Sequence, residues 1–204
     1  MKIFFFFLLI NLALNAYDND KYSMRLAYGF ASNNDLGQIS FDNSSITSKD
    51  LYVLAVDGGY LLKKDFMDLP IDIYLKGGLS YFDEDVNNNT YEAVAYIKAL
   101  YNVDFLDNKI RFGLGEGGSY TTSILEVEYD DVHSDSNNIS NTSKFLNYLD
   151  ITVDFDLGKL INYKPMKETY VGYLLKHRSG IFGLINNVDH GGSNYNSFYV
   201  EKNF

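Results

Sequence analysis

The sequence contains no cysteine and no tryptophan, and only two prolines interrupt its 204 residues. Without cysteine, no disulfide can hold the chain together. The three histidines alone offer a transition metal few ligands. Because proline removes a backbone donor and breaks strands, its scarcity permits long strands. A packed core or a surrounding membrane must therefore stabilise this chain.

Clusters of basic residues are also lacking, and the formal net charge is −10. Nucleic-acid binding needs clustered lysine and arginine to neutralise phosphates, so no nucleic-acid partner is expected. Much of the excess acid falls in predicted loops, at 83–85 and at 126–135. We interpret these runs as solvated loops; the alternative, a divalent-cation site, lacks the spacing of a calcium loop.

Long apolar runs are limited to one, Ile3 to Ile10, which follows a lysine. It is shorter than the ~20 residues of a membrane-spanning helix. With Leu14 and Ala16 at the −3 and −1 positions, the pattern is typical of a cleavable signal peptide over 1–16. The remaining residues, 17–204, form one domain by length.

What the sequence does have is aromatic residues, 18 Tyr and 15 Phe, and a hydrophobic period of two. Apolar residues alternate with small or polar ones in eight segments of roughly 10–13 residues, close to the length of a tilted barrel strand. These segments lie at 22–31, 51–62, 71–82, 91–103, 110–121, 145–157, 168–179 and 194–204.

The polar faces of these segments carry too much charge for the dry core of a soluble barrel. If the barrel is reversed, the charges pair inside and the aromatic residues face lipid, with no unpaired backbone left in the hydrocarbon. The sequence therefore predicts an all-β fold, an eight-stranded antiparallel transmembrane β-barrel of the outer membrane. Outward positions would include Leu149, Ile151, Val153 and Phe155; inward ones would include Asp150, Thr152 and Asp154, with partners such as Arg25, Lys76, Lys98 or Arg111.

The connections between the segments support the same fold, because longer ones tend to alternate with shorter ones. Outer-membrane barrels have short periplasmic turns and longer extracellular loops. We expect both termini on the periplasmic side of a Gram-negative outer membrane. The final Phe204, on one strand face with Phe198 and Val200, resembles the signal read by the outer-membrane assembly machinery, although Lys202 departs from it.

A candidate for chemistry is the triplet His177-Arg178-Ser179 at the end of the seventh segment. His177 and Ser179 share a face, and this face is the lipid side. Polar groups placed against lipid are costly without a purpose. A histidine can act as general base to a serine hydroxyl when a third group orients it. The alternative is that both side chains simply lie at the polar membrane interface.

Four stretches resemble the acyloxyacyl-hydrolase-like outer-membrane proteins, which are related to the lipid A 3-O-deacylases. They lie between Gly113 and Phe204: Tyr173-Leu-Leu-Lys-His-Arg-Ser-Gly-Ile-Phe-Gly, Gly191-Gly-Ser-Asn-Tyr, Gly113-Leu-Gly-Glu-Gly-Gly-Ser-Tyr and Leu146-Asn-Tyr-Leu-Asp. The resemblance implies an eight-stranded barrel that hydrolyses ester-linked acyl chains of lipid A, part of lipopolysaccharide, among the outer-membrane lipids, without a cofactor.

The same resemblance implies that His177 is the general base and Ser179 the nucleophile of an exterior Ser-His-acid site. The family's asparagine after the serine is replaced here by Gly180. Its acid lies about a dozen residues beyond the serine, where this chain offers Asp189; the alternatives are Glu116 and Glu126. Arg178 should face inwards, which leaves backbone N–H groups near Gly180 as candidate oxyanion donors.

Two other functions remain open from the sequence. One is a non-enzymatic barrel, an adhesion or membrane-stabilising protein that acts through its acidic loops. The other is a pore, which eight strands disfavour because side chains fill so narrow a barrel. The feature that discriminates between enzyme and non-enzyme is whether an acid lies within hydrogen-bond reach of His177 on the lipid face.

Overall fold

The computed structural model describes residues 21–32, 51–85, 89–133 and 141–204. The expected signal peptide, 1–16, lies outside the described residues. The described chain forms eight antiparallel strands that pair in sequence order and close into a barrel. The strands are β1 Tyr22–Ser32, β2 Tyr52–Lys63, β3 Ile71–Asp83, β4 Thr90–Phe105, β5 Asn108–Thr121, β6 Phe145–Asp156, β7 Thr169–Ser179 and β8 Ser193–Asn203.

The predicted fold class is confirmed, including the closure of the first strand onto the last. β1 pairs with β8 from Ser23 opposite Asn203 to Ser32 opposite Asn194. The strand ends are joined further by the N–H of Tyr22, which donates to the carbonyl of Phe204 at 2.8 Å. No sheet edge is left unpaired along these strands, as a β-structure within hydrocarbon requires.

Alternation along each strand separates an apolar exterior from a charged lumen. In β6, Asp150, Thr152 and Asp154 are buried, whereas Val153 and Phe155 are exposed. Exterior leucines and aromatics elsewhere behave alike; Phe198 is 70% exposed and Leu79 is 63% exposed. The predicted orientation of the two faces is therefore confirmed.

Inside the lumen, the buried carboxylates meet the expected cations across the barrel. Asp150 lies 2.6 Å from both Arg25 of β1 and Lys98 of β4. Asp154 lies 2.8 Å from Arg111. Each of these ion pairs offsets the free-energy cost of burying its two charges, and the pairs join residues of different strands.

The connections lie at two ends of the barrel, called here the short-turn end and the long-connection end. The short-turn end has the β2–β3, β4–β5 and β6–β7 connections, the last with helix α2, Leu157–Leu160. The long-connection end has the β1–β2, β3–β4, β5–β6 and β7–β8 connections. The β3–β4 connection, 84–89, is an exception in length, because it is no longer than the turn at 64–70. No helix in the described part of the chain is long and apolar enough to cross a membrane.

The acidic segment from Glu126 is a helix, α1 (Glu126–His133), and not the solvated loop that its composition predicted. Its carboxylates Glu126 and Glu128 are buried, as is Val132. Leu125, just before it, packs in a buried cluster with lumen residues that include Phe82. Helix α1 therefore closes the long-connection end of the lumen, because its apolar and acidic side chains both find partners there.

Candidate functional site

The last outward residues of β7 are His177 and Ser179, beside the long-connection end. Both follow Val171, Tyr173 and Leu175 on the exterior face, as the period of two predicts. His177 is nevertheless only 8% exposed. Neighbouring strands and connections therefore cover the imidazole, even though it points away from the lumen.

The imidazole of His177 is held by an asparagine of the next strand. Nδ1 lies 2.7 Å from Oδ1 of Asn194, the residue directly opposite His177 in the β7–β8 register. The ring also makes a hydrogen bond with the backbone of Ser193. An amide oxygen only accepts hydrogen bonds, so Nδ1 carries the hydrogen in the contact with Asn194, and Nε2 is the basic nitrogen of the neutral ring. This is the tautomer that a general base for a serine hydroxyl requires.

The three acids proposed as the orienting group lie elsewhere. Asp189 is exposed in the β7–β8 connection, where its carboxylate lies against Gly183. Glu116 is exposed on β5, in register with Leu149, which in turn pairs with His177. At a strand spacing of roughly 4.8 Å, this places the backbone of Glu116 about 10 Å from that of His177. Glu126 is buried in α1 on the lumen side of the wall.

Ser179 also has a polar neighbour on β6, the strand that pairs with β7 on the side away from β8. Asn147 of β6 is directly opposite Ser179 in the register. Cross-strand neighbours of this kind have Cβ atoms about 4.5–5.5 Å apart. The asparagine that the family places after its serine is glycine here, so Asn147 brings a side-chain amide to the same locality from another strand.

Gly192 keeps the space between His177 and Ser179 open. A Cβ at this position would lie 3.5 Å from Cε1 of His177, 3.7 Å from Cβ of Ser179 and 2.9 Å from the carbonyl oxygen of Arg178. The last distance is too short for a real contact with backbone. Glycine is therefore the residue that lets β8 begin this close to the end of β7.

Arg178 points into the lumen, as its alternation with its neighbours predicted. Its Nη1 lies 2.6 Å from Oε1 of Glu128, and the same oxygen accepts a hydrogen bond from Oγ of Ser193 at 2.8 Å. Burial raises the pKa of the Glu128 carboxyl above its usual value, although Arg178 and Ser193 favour the charged form. The lumen side of the site is thus tied to helix α1.

Sequence reasoning missed Asn194 and Asn147. Asn194 lies within the Gly191–Tyr195 stretch that carries the resemblance, but the resemblance implies an acid as the orienting group and gives Asn194 no role. Asn147 comes opposite Ser179 only through the β6–β7 register, which no local signal in the sequence specifies. Among the described residues, no cluster of three or more His, Asp or Glu side chains could hold a metal ion.

Comparison with known proteins identifies the fold of the chain but not its activity. No known family model matches the sequence, and neither does any curated protein. Among solved structures, the chain is similar to the outer membrane enzyme PagL, with a TM-score of 0.59 and 11% sequence identity, over 89% of this chain and 99% of that one.

It is also similar to Neisserial surface protein A, with a TM-score of 0.50 and 12% identity, over 91% of this chain and 98% of that one. At such low identities these likenesses establish a shared architecture alone. The chain has the eight-stranded barrel fold of known outer-membrane proteins, one of which is an enzyme.

Proposed function

We propose that this protein resides in a bacterial outer membrane and hydrolyses ester-linked acyl chains of lipid A in the outer leaflet. The observation that carries the proposal is the contact between His177 Nδ1 and Asn194 Oδ1, two residues from Ser179 on the same exterior face. The resemblance of the His177-Arg178-Ser179 region to the lipid A deacylases supports the substrate class. The likeness to an outer membrane enzyme supports the location.

In the proposed reaction, Nε2 of His177 takes the proton of the Ser179 hydroxyl while Oγ attacks the ester carbonyl. The tetrahedral intermediate collapses with cleavage of the ester C–O bond, the departing alkoxide takes the proton from the imidazolium, and an acyl-serine remains. Water, activated by the same imidazole, then releases the fatty acid and restores Ser179.

Asn194 fills the orienting role that the resemblance assigned to an acid at Asp189. Asparagine does this in Cys-His-Asn proteases, where it holds the imidazole without adding a negative charge. A neutral amide stabilises the imidazolium less than a carboxylate does, so a modest rate is expected. The side-chain amide of Asn147 and the backbone N–H of Gly180 are the candidate oxyanion donors.

Mass spectrometry of lipid A tests the proposal in cells that express the wild type, Ser179→Ala or His177→Ala. Only the wild type should remove an acyl chain, because loss of nucleophile or base lowers the rate by roughly 10⁴-fold or more. Thr142→Ala, at an exposed site of the α1–β6 connection, is the control and should retain activity.

Unchanged lipid A with abundant, folded wild-type protein would contradict the proposal. That result would favour the alternative, a non-enzymatic barrel that acts through its long connections. Activity that persists in Ser179→Ala would instead show that a different nucleophile is used.

A further inference from the structure

The lumen side of the candidate site contains a buried carboxylate that the proposed reaction does not use. Glu128 projects from α1 and is 1% exposed. One of its oxygens, Oε1, accepts from both Arg178 of β7 at 2.6 Å and Ser193 of β8 at 2.8 Å. A single acceptor thus joins two adjacent strands through their inward side chains.

The position of this contact along the hairpin matters. Arg178 and Ser193 form the last β7–β8 register pair before the strands separate into the 180–192 connection. The next pair along the ladder is His177 with Asn194, and the side chains of this pair meet on the exterior face of the barrel. Ends of strand ladders open most readily, because fewer contacts hold them. Without a restraint, that opening would separate Nδ1 of His177 from its acceptor.

Helix α1 restrains this end of the hairpin at a second point. Asp131 accepts a hydrogen bond from the backbone N–H of Gly191 at 2.9 Å. A Cβ on Gly191 would lie 2.5 Å from a methyl carbon of Val132, so the helix packs directly against the start of the 191–193 segment. Two carboxylates of one helix therefore hold the 191–193 segment that leads into Asn194, one through the backbone N–H of Gly191 and one through the hydroxyl of Ser193.

We propose that Glu128 is a positioning residue, which holds the Arg178–Ser193 pair from inside the barrel and thereby keeps His177 against Asn194 outside it. The inference deepens the proposed function and rests on it for its effect on catalysis. It assigns to helix α1 a role in the geometry of the reacting groups, across the barrel wall. Neither Arg178 nor Ser193 needs to touch the substrate for this role.

The first test compares the turnover of the purified full-length protein with Glu128→Ala and Glu128→Gln. The alanine variant should lower kcat by about 10- to 100-fold with KM changed by less than about 2-fold, since small misplacements of reacting groups have effects of this size. Glutamine keeps an oxygen that accepts from both partners, so its kcat should lie between those of alanine and wild type. Wild-type kcat in a folded Glu128→Ala variant would overturn the inference.

Glu126→Gln is the matched control, because it removes the same charge from an equally buried position of the same helix. It should leave kcat near the wild-type value. The electrophoretic mobility of unheated samples reports whether each barrel is closed. If the alanine variant does not fold, Glu128→Gln decides the question: a reduced kcat with unchanged KM supports positioning, and a wild-type kcat overturns it.

A second readout does not need activity. The chain has only three histidines, so ¹⁵N-histidine NMR can resolve His177 once its signal is identified with His177→Ala. Wild type and Glu126→Gln should show a slowly exchanging Nδ1–H, which both Glu128 variants should weaken, the alanine variant more. An unaltered signal in Glu128→Ala would overturn the inference even if the protein proves to be inactive on lipid A. An altered signal in an inactive protein would leave positioning intact and remove only the proposed reaction.

Discussion

At the scale of single residues, the contact made by His177 determines what the exterior face can do. Asn194 supplies an acceptor that selects one tautomer of the imidazole, and Gly192 leaves room beside it. A second polar contact joins the same two strands further from the long-connection end, where the hydroxyl of Tyr173 donates to Oδ1 of Asn196 at 2.5 Å. Both pairs satisfy polar groups on a mainly apolar face, and only the first includes an imidazole.

Replacing Asn194 with alanine should lower the rate of lipid A deacylation by about 10- to 100-fold, because the imidazole loses the acceptor that orients it. Asn194→Asp retains an acceptor at the same place and should stay much closer to wild type. Rates of acyl release from purified lipid A would measure both. Asn196→Ala, on the same face of the same strand but bonded to Tyr173, is the control. Equal rates for Asn194→Ala and this control would refute the orienting role.

At the scale of the elements, the strands are held together by their backbone ladders and by charges that cross the lumen. Asp150 of β6 bonds to Arg25 of β1 and Lys98 of β4, which are not its neighbours in the sheet. Arg25 also reaches Asp57 of β2 at 2.7 Å. One buried carboxylate thus links strands that are not adjacent in the sheet.

Asp150→Ala should destabilise the barrel by about 3–5 kcal/mol, because two buried cations lose a shared partner. The midpoint of urea unfolding in detergent micelles would report the loss. Asp104→Ala, at an exposed position of β4, should change the free energy of unfolding by less than about 0.5 kcal/mol. If both variants unfold at the same urea concentration, water has replaced the carboxylate in the lumen and the network adds little stability.

At the scale of the whole molecule, the distribution of polar and apolar side chains is the reverse of that in a soluble barrel. Its lumen contains arginine, lysine and carboxylates that are nearly all below a few per cent exposed, and α1 closes one end. Its exterior shows leucine, tyrosine and phenylalanine. This arrangement suits a hydrocarbon surrounding, since an apolar exterior is compatible with lipid tails and the charges compensate one another inside.

Single cysteines test the membrane location cleanly, because the native chain contains none. Leu79→Cys and Leu114→Cys, at exposed exterior positions, should resist a membrane-impermeant maleimide in intact outer membranes. Thr142→Cys, in the long connection after α1, should react quickly. All three should react after denaturation. Rapid labelling of the two exterior positions in membranes would contradict the proposed location.

Local patterns in the sequence were sufficient for the strands and for the faces of the barrel. Alternation has a period of two wherever a strand separates lipid from lumen, so each segment such as 149–156 reveals its own orientation without reference to the rest of the chain. The placement of His177 and Ser179 outwards, and of Arg178 inwards, follows from the same period.

The partners of these residues were decided by the tertiary structure. Asp150 and Arg25 are 125 positions apart, and Asn194 meets His177 only because the β7–β8 register places them opposite each other. Composition predicts a solvated loop at 126–135. Glu128 is nevertheless buried, because Arg178 and Ser193 donate hydrogen bonds to its carboxylate inside the closed barrel. Periodicity is a property of a few consecutive residues, whereas register and barrel closure depend on all eight strands together. This is why the hydrogen-bond partner of His177 could not be identified from the sequence.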